Sequence, residues 1–220
     1  MASIESAPAG KVRFCSLGSG SRGNAAVVEY NKTTLLLDCG FSLAETTRRL
    51  VSRGVQVGQL DAVLVTHEHS DHTCGLGPLA RRMGVPVFLT AGTLRSLKDP
   101  DLPDIRIIRS DRSETFGDIE FLPFTVPHDA AEPAQFVFSA GHRQLGFLTD
   151  CGAVTPHIKA CLQELDALVL ECNHDDTMLA QGPYPAFLKK RIAGKLGHLS
   201  NSQSAALIRQ IDTGRLHHVV

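Results

Sequence analysis

The chain has 220 residues, of which 43% are hydrophobic and 20% charged, and its formal net charge is -1. These values are typical of a soluble globular protein, and the length suits one large domain. The near-neutral charge excludes a general electrostatic attraction to nucleic acid or to a membrane surface. Any polyanionic partner would therefore have to be bound by local patches of the surface.

The N-terminal region contains no apolar segment of signal-peptide length, and no 18 apolar residues occur together anywhere in the sequence. We therefore expect a cytoplasmic protein without a membrane-spanning segment. Residues 1–10 are predicted to form a loose tail, and residues 11–220 a single domain. The six cysteines form no CxxC pair and are predicted to be small buried thiols. Cys39 and Cys151 each follow an aspartate, so a position near a metal stays open for them.

In the first half of the chain, apolar runs alternate with turn signals. The predicted elements are strands over 12–17, 25–29, 34–38, 62–66 and 85–89 and helices over 43–53 and 76–83. Ser42 and Glu45 form a capping-box pattern at the start of the first helix, and Gly54 can close its end. The segment GSGSRGN is predicted to form a tight turn between the first two strands. This order of elements predicts helices packed on a sheet.

The helical pattern disappears between residues 105 and 149. Four segments there are predicted to form antiparallel strands joined by short turns: IRIIRS, IEFLPFTV, AQFVFSA and QLGFLTD. They are followed by helices near 155–165, 184–196 and 202–211, a strand at 168–172 and the final apolar segment LHHVV. Two β-rich halves with helices outside them predict an α/β (α+β) protein with four αββα layers, in which two sheets lie between helical layers.

The segment THEHSDH follows a predicted strand and contains three histidines and two acids: His67, Glu68, His69, Asp71 and His72. In a nearly extended segment His67, His69 and Asp71 would face one way while His72 turns aside. Neutral imidazoles and a carboxylate are suitable zinc ligands, and a catalytic zinc site keeps one position open for water. This pattern favours two neighbouring metal ions over polar surface residues. Glu68 is expected to face away from the metals.

THEHSDH resembles the HxHxDH signature of the metallo-β-lactamase fold, and the resemblance extends over nearly the whole chain. LGSGSRGNA, PHDAAEPAQFVF, ECNHD, GPYPAFLKKRI and GHLSN are similar to the YycJ/WalJ branch, which is related to tRNase Z and the β-CASP nucleases. The resemblance implies a binuclear metal-dependent phosphodiesterase, specifically a single-stranded DNA exonuclease, that uses a metal-bridging hydroxide. It implies two divalent metal ions, Zn2+ or alternatively Mn2+, and a nucleic acid substrate.

The resemblance also implies roles for individual residues. The implied metal ligands are His67, His69 and His128 for one ion, Asp71 and His72 for the second, and Asp150 as a bridge. Asp71 would in addition orient the hydroxide. Asp38 would either support a ligand histidine from beneath the site or only cap a turn after its strand. The resemblance thus predicts six metal ligands and an acid beneath the site.

Further segments have both a functional and a structural interpretation. His174 and His198 lie in segments that help to protonate the leaving oxygen in tRNase Z-like enzymes, whereas His198 would otherwise only precede a helix cap. The turn residues Ser21, Arg22, Gly23 and Asn24 would present backbone N–H groups to a phosphate, or would form a plain hairpin turn. The basic segment LKKRIAGK is expected to be a solvated helix face.

One departure from the family concerns its last metal-binding histidine, which follows the final strand. Here the sequence stops within LHHVV, and His217 and His218 belong to that strand. We therefore expect a domain that lacks its C-terminal end and a second metal that binds weakly or is missing.

The choice of function class depends on further features. Two tyrosines and no tryptophan leave few stacking platforms for single-stranded DNA. A hydrolase of small thioesters, lactones or lactams on the same fold is therefore the main alternative. A non-catalytic scaffold is disfavoured by the intact ligand set.

Overall fold

Two six-stranded sheets form the centre of the structure, a computed structural model that describes residues 10–220. Apart from Gly10, the tail predicted at residues 1–10 lies outside the described residues. The first sheet contains β1 (Arg13–Gly18), β2 (Ala25–Tyr30), β3 (Thr33–Leu37), β4 (Ala62–Leu64), β5 (Val87–Leu89) and β6 (Ile105–Ile107) in that spatial order. The second contains β7 (Glu114–Phe116), β8 (Ile119–Thr125), β9 (Ala134–Ala140), β10 (Arg143–Leu148), β11 (Ala167–Leu170) and β12 (His218–Val219).

Each sheet combines antiparallel and parallel pairs. In the first sheet β1, β2 and β3 are antiparallel neighbours, and β3 to β6 are parallel. In the second sheet β7 to β10 are antiparallel, and β10 to β12 are parallel. Parallel neighbours need crossover connections, which helices supply. The helices of the described residues are α1 (Leu43–Ser52), α2 (Ser70–Thr73), α3 (Leu76–Met83), α4 (Ala91–Ser96), α5 (Pro156–Cys161), α6 (Asp176–Gln181), α7 (Ala186–Ile192) and α8 (Asn201–Ile208).

Three buried clusters define the four layers. Successive residues of β3 alternate between two of them: Leu35 and Leu37 pack between the sheets, whereas Leu36 packs with Leu50 of α1 and Leu79 of α3. The third cluster lies on the outer face of the second sheet and includes side chains of α5 and α8. Both faces of the inner strands are therefore covered, which explains their continuous apolar runs. The predicted αββα sandwich is confirmed.

The signals at α1 are only partly as predicted. Ser42 Oγ accepts a hydrogen bond from Glu45 N, and Gly54 follows the helix at a φ of 78°. The carboxylate of Glu45, however, accepts hydrogen bonds from Arg48 and Arg49 and does not close a capping box. No helix in residues 10–220 is both long and apolar enough to cross a membrane.

The prediction for IRIIRS was wrong. It forms β6, which pairs in parallel with β5 in the first sheet and is not part of the antiparallel sheet. The crossover between them is α4, capped by Thr90 Oγ1, which accepts a hydrogen bond from Thr93 N. Helices α2, α4 and α6 and strand β7 were not predicted, because segments of three to six residues are too short for a periodic pattern. Helix α7 is also shorter than the predicted 184–196.

Candidate metal centre

The candidate ligands lie in loops that follow strands of both sheets. His67 follows β4, next to β3, whose loop carries Asp38, and His128 and Asp150 follow β8 and β10. In the first sheet β3 and β4 are parallel. In the second sheet β8 and β10 run in the same direction, because both are antiparallel to β9. Their carboxyl ends therefore reach the same edge of the sandwich. This edge brings together residues that are more than 80 positions apart in the sequence.

His67, His69 and His128 form the first ligand group, with one possible ligand atom from each within 4.8 Å of the others. His67 Nε2 lies 3.0 Å from His69 Nδ1. His128 Nδ1 donates a hydrogen bond to the carbonyl oxygen of Gly197 at 3.1 Å. Its other ring nitrogen, Nε2, is buried and has no hydrogen-bond partner in residues 10–220. A buried nitrogen lone pair without a partner is what a metal ligand presents.

The environment favours the neutral form of two members of the first group, His67 and His128. Burial lowers the pKa of His67 well below its ordinary value, and the neighbouring imidazoles of His72, His128 and His69 lower it further. Burial also lowers the pKa of His128, against the opposing charge of Asp150. Neutral imidazole is the form that binds metal, so these shifts fit the ligand set.

His67, His72 and Asp150 form a second group, again with ligand atoms within 4.8 Å. His72 Nε2 lies 3.3 Å from Asp150 Oδ2 and 3.7 Å from Asp71 Oδ2. Burial acts to lower the pKa of His72, but the charges of Asp38, Asp150 and Asp71 outweigh it and raise the pKa to about 9. Three carboxylates around one imidazole thus form a site that favours positive charge.

Asp38 supports this group from below. Its carboxylate is buried and accepts hydrogen bonds from His72 Nδ1 at 2.8 Å and from Thr66 N at 2.8 Å. Its backbone has a φ of 58°, a left-handed conformation that aspartate tolerates better than most residues. These contacts fit the interpretation of Asp38 as a support for the predicted ligand His72, which stays a prediction.

The extended geometry predicted for THEHSDH was wrong beyond His69. His69 is the N-cap of α2, so Asp71 and His72 lie in a helical turn and not in an extended segment. This turn directs the ring of His72 into the buried cluster, where its centroid is 4.1 Å from that of His67. Glu68 belongs to neither ligand group, and its Oε1 accepts a hydrogen bond from Ala131 N.

The glycine-rich turn does not present a row of free N–H groups. Gly20 N donates to Asn24 Oδ1, Gly23 N to the carbonyl of Gly20, and Asn24 N to the carbonyl of Asp71. Two of the four predicted phosphate-binding residues therefore use their backbone N–H groups internally. Ser21 and Arg22 are exposed at the tip of the turn. Asn24 joins the metal centre instead, since its Nδ2 lies 3.2 Å from Asp71 Oδ2 and 3.0 Å from His72 Nε2.

His198 borders the second group, and His174 does not. His198 Nδ1 lies 3.1 Å from Glu171 Oε2 and 3.5 Å from Asp150 Oδ1. Burial acts to lower the pKa of His198, but the hydrogen bond to Glu171 and the charge of Asp150 raise it above its ordinary value. The ring of His174 is half-buried, with Nδ1 3.3 Å from Asn173 Oδ1.

Sequence reasoning did not single out Glu171, although it lies in the quoted segment ECNHD. Its Oε1 accepts hydrogen bonds from Cys151 N and Leu199 N, and burial raises its pKa to about 7. A carboxylate with these contacts links the loop after β10 to the segment that carries His198. The feature of the sequence that could have identified Glu171 is an acid at the end of a buried strand.

Asp129 and Arg191 were also missed. The carbonyl oxygen of Asp129 lies 3.2 Å from His69 Nε2, and its Oδ1 lies 3.6 Å from His128 Nε2. Arg191 Nε donates to Asp129 Oδ2 at 2.6 Å. The segment LKKRIAGK is therefore not only a solvated helix face. Asp129 directly follows the predicted ligand His128, and this position could have identified it from the sequence.

Cys39 and Cys151 do not reach either ligand group. Cys39 Sγ lies 3.7 Å from Thr46 Oγ1, and Cys151 Sγ donates to the carbonyl of Ala153. Burial raises the pKa of both thiols to about 12. Both are packed, protonated thiols of the core.

Comparison with known proteins identifies the family. A family model described as "Beta-lactamase superfamily domain" matches residues 33–219. The chain belongs to the β-lactamase superfamily. The exodeoxyribonuclease YycJ of Bacillus anthracis is 37% identical over 212 residues, which cover 94% of this chain and 80% of that protein. The exodeoxyribonuclease WalJ of Streptococcus pneumoniae serotype 2 (strain D39 / NCTC 7466) is 36% identical over 206 residues, or 90% and 77% of the two chains.

Among solved structures, Zn(2+)-bound PqqB from Methylobacterium extorquens is similar, with a TM-score of 0.71 and 20% identity. The match covers 94% of this chain and 89% of PqqB. At this identity the likeness concerns the fold. The predicted resemblance to the YycJ/WalJ branch is confirmed, and this superfamily member is a hydrolase.

Proposed function

We propose that this superfamily member is a metal-dependent phosphodiesterase that removes nucleotides from single-stranded DNA. The observation that carries the proposal is the convergence of two ligand groups at one edge of the sandwich, with the His198–Glu171 pair beside them. The similarity to two exodeoxyribonucleases over at least 90% of the chain supports the substrate class.

The ligand groups fit two divalent ions. His67, His69 and His128 would hold the tighter ion, and Zn2+ is favoured over Mn2+ because all three donors are imidazoles. His72 and Asp150 of the second group would hold the second ion, and Asp150 would be shared. Asp71 belongs to neither group, but its Oδ2 lies 3.7 Å from His72 Nε2, and it would complete this ligand set. We expect this ion to bind more weakly, because the side-chain amide of Asn24 lies within 3.2 Å of Asp71 Oδ2 and His72 Nε2. When bound, such ions supply an activated water and offset negative charge on a phosphate.

The chain's own residues would position the reactants and move protons. Asn24 fixes the carboxylate of Asp71, whose oxygen would orient the attacking water. His198 would donate a proton to the leaving 3′ or 5′ oxygen, because the hydrogen bond to Glu171 and the charge of Asp150 raise its pKa and so favour the protonated ring. Glu171 holds the imidazole of His198 at Nδ1, so Nε2 would carry the transferred proton. We assign this role to His198 alone, since the hydrogen bond of the His174 ring is to Asn173.

Hydrolysis of end-labelled oligonucleotides tests this proposal. Metal-loaded protein would be incubated with 5′-labelled and 3′-labelled single strands, duplex DNA and RNA, and separately with a thioester and a lactam. We expect stepwise shortening of single-stranded DNA from one end. The Asp71→Ala variant should lose several orders of magnitude in rate while its thermal midpoint stays nearly unchanged. Turnover of the thioester or lactam without release of nucleotides would assign the protein to the alternative class of hydrolases.

A further inference from the structure

A third group of metal-ligating side chains lies apart from the metal centre. It consists of Asp111, His157 and Cys161, whose possible ligand atoms lie within 4.8 Å of one another. His157 Nε2 is 2.9 Å from Asp111 Oδ1 and 3.7 Å from Cys161 Sγ. The group shares no residue with the two groups of the metal centre.

Two structural elements bring these side chains together. His157 and Cys161 are four residues apart on α5, so they project from the same side of the helix. The buried side chains of Ile158 and Leu162 anchor α5 against the second sheet. Asp111 lies in the connection between β6 of the first sheet and β7 of the second. Its backbone N–H donates to the carbonyl of Pro123 in β8, which fixes the connection beside α5.

The geometry disfavours a Cys–His–Asp nucleophile. In such a triad the thiol and the acid contact different nitrogens of the imidazole. Here Asp111 Oδ1 and Cys161 Sγ both approach Nε2. One nitrogen carries at most one proton and cannot donate it fully to both neighbours. A nitrogen, an oxygen and a sulfur atom that lie close together are instead the arrangement by which a protein binds a metal cation.

The distances suit a tetrahedral ion. With usual zinc bond lengths, the separation of two ligand atoms is about 3.5 Å for nitrogen and sulfur and about 3.3 Å for nitrogen and oxygen. The observed values are 3.7 Å and 2.9 Å. The side chain of Asp111 is 55% exposed, so its carboxylate is free to move by the few tenths of an ångström required.

We propose that Asp111, His157 and Cys161 bind a zinc-class divalent ion at a site separate from the metal centre, with water in the fourth position. A thiolate and an imidazole select zinc or cobalt over magnesium and manganese. Binding would release the thiol proton of Cys161 to solvent. The ion would link the β6–β7 connection, which carries Asp111, to α5. Its role would be structural, whereas the ions of the metal centre would serve catalysis.

Cobalt absorption tests the proposal directly. Metal-free protein would be titrated with Co2+, and the thiolate-to-cobalt charge-transfer band followed in the near ultraviolet. We expect this band in the unchanged protein and in the His69→Ala variant, whose metal centre is impaired. It should disappear in Cys161→Ser and in His157→Ala. Cys15→Ser is the matched control and should leave the band unchanged. Cys15 is a partly buried thiol whose only hydrogen bond within residues 10–220 is to the carbonyl of its neighbour Ser16.

Alkylation of Cys161 gives a second readout. Zn2+ should slow the modification of Cys161 by iodoacetamide, measured by mass spectrometry, and His157→Ala should abolish this protection. A missing cobalt band in the unchanged protein, or a band that survives Cys161→Ser, would overturn the proposal. Equal alkylation with and without Zn2+ would do the same, and would leave His157 and Asp111 as an ordinary ion pair.

Discussion

At the residue scale, the hydroxyl of Thr66 sets the orientation of His67 in the first ligand group. Thr66 Oγ1 lies 2.9 Å from Asp38 Oδ2 and 2.9 Å from His67 Nδ1. A carboxylate only accepts hydrogen bonds, so the hydroxyl proton points to Asp38 and its oxygen accepts from His67 Nδ1. The proton of His67 is thereby placed on Nδ1, and Nε2 turns a lone pair toward His69. The motif HxHxDH is visible in the sequence, but this arrangement depends on the fold.

Replacement of Thr66 tests that arrangement. Thr66→Val keeps the shape of the side chain but removes the hydroxyl, so it should weaken metal binding by about 10–100-fold. The matched control Thr66→Ser retains the hydroxyl and should bind metal almost as the unchanged protein does. Metal affinity would be measured by competition with a chromophoric chelator. Equal affinities for the two variants would show that Thr66 does not orient His67.

Glu171 provides a second test at this scale, through His198. Glu171→Gln should slow hydrolysis of DNA, whose alkoxide leaving group needs a proton, by about 10-fold, and His198→Ala by about 100-fold or more. An activated nitrophenyl phosphodiester leaves without a proton and should be affected little by either change. Comparison of the two substrates at saturation would measure the difference. Equal losses of rate on both substrates would show that His198 acts only as a structural cap.

At the scale of elements, two loops and helix α2 are joined by backbone hydrogen bonds beneath the metal centre. Gly40 N donates to the carbonyl of Asn24, and Asn24 N donates to the carbonyl of Asp71. Cys39 N donates to the carbonyl of His72, which ties the loop after β3 to α2. A Cβ on Gly40 would overlap the carbonyl oxygen of Asp71 and lie 2.6 Å from Asn24 N. The glycine is thus required by the close approach of the loops.

The close packing at Gly40 predicts a large effect of a small change. Gly40→Ala should displace Asp71, lower the free energy of unfolding by about 2–4 kcal/mol and reduce metal occupancy. Gly58→Ala is the matched control, because a Cβ there meets no atom of residues 10–220 within 4 Å, and it should change stability by less than about 0.5 kcal/mol. Urea unfolding and elemental analysis would measure both. Similar results for the two variants would contradict the proposed junction.

The elements themselves were largely predictable, and their contacts were not. The strands β2 and β3 and helix α3 were recognised because long apolar periods and turn signals mark them. The residues His67 and His128 were predicted as ligands from their motifs, and the structure brings them into one group. Asn24 and Asp129 were missed as members of the centre, because their contacts arise only when separate loops meet at the sheet edge. The assignment of β6 failed since a short apolar segment does not specify which sheet it joins.

At the scale of the whole molecule, Asp166 connects distant parts of the second half. Its side chain is 10% exposed and accepts hydrogen bonds from Gln144 N, Arg143 and Arg215. Burial acts to raise the pKa of Asp166, but these donors outweigh it and hold the pKa below its ordinary value. The carboxylate therefore joins the hairpin β9–β10 to the segment that leads into β12.

This contact predicts a pH-dependent stability. An acid with a lowered pKa contributes its stability above its unfolded-state pKa and loses it as the pH falls through the folded value. Asp166→Asn should therefore cost about 1–3 kcal/mol at pH 7, and the difference from the unchanged protein should shrink as the pH falls below the ordinary aspartate range. Urea unfolding from pH 7 to pH 3 would measure it. A difference that stays constant with pH would contradict the role of the charge.

The central claim is that loops of both sheets build one metal-dependent nuclease site, and a coupled titration tests it most directly. Metal-free protein would receive Zn2+ or Mn2+ in steps while bound metal and the release of nucleotides from labelled single-stranded DNA are measured in the same samples. We expect no release without metal, a rate that rises in proportion to occupancy, and no rise in the His67→Ala variant. Full release of nucleotides in the presence of a chelator, or full metal occupancy with no release, would contradict it.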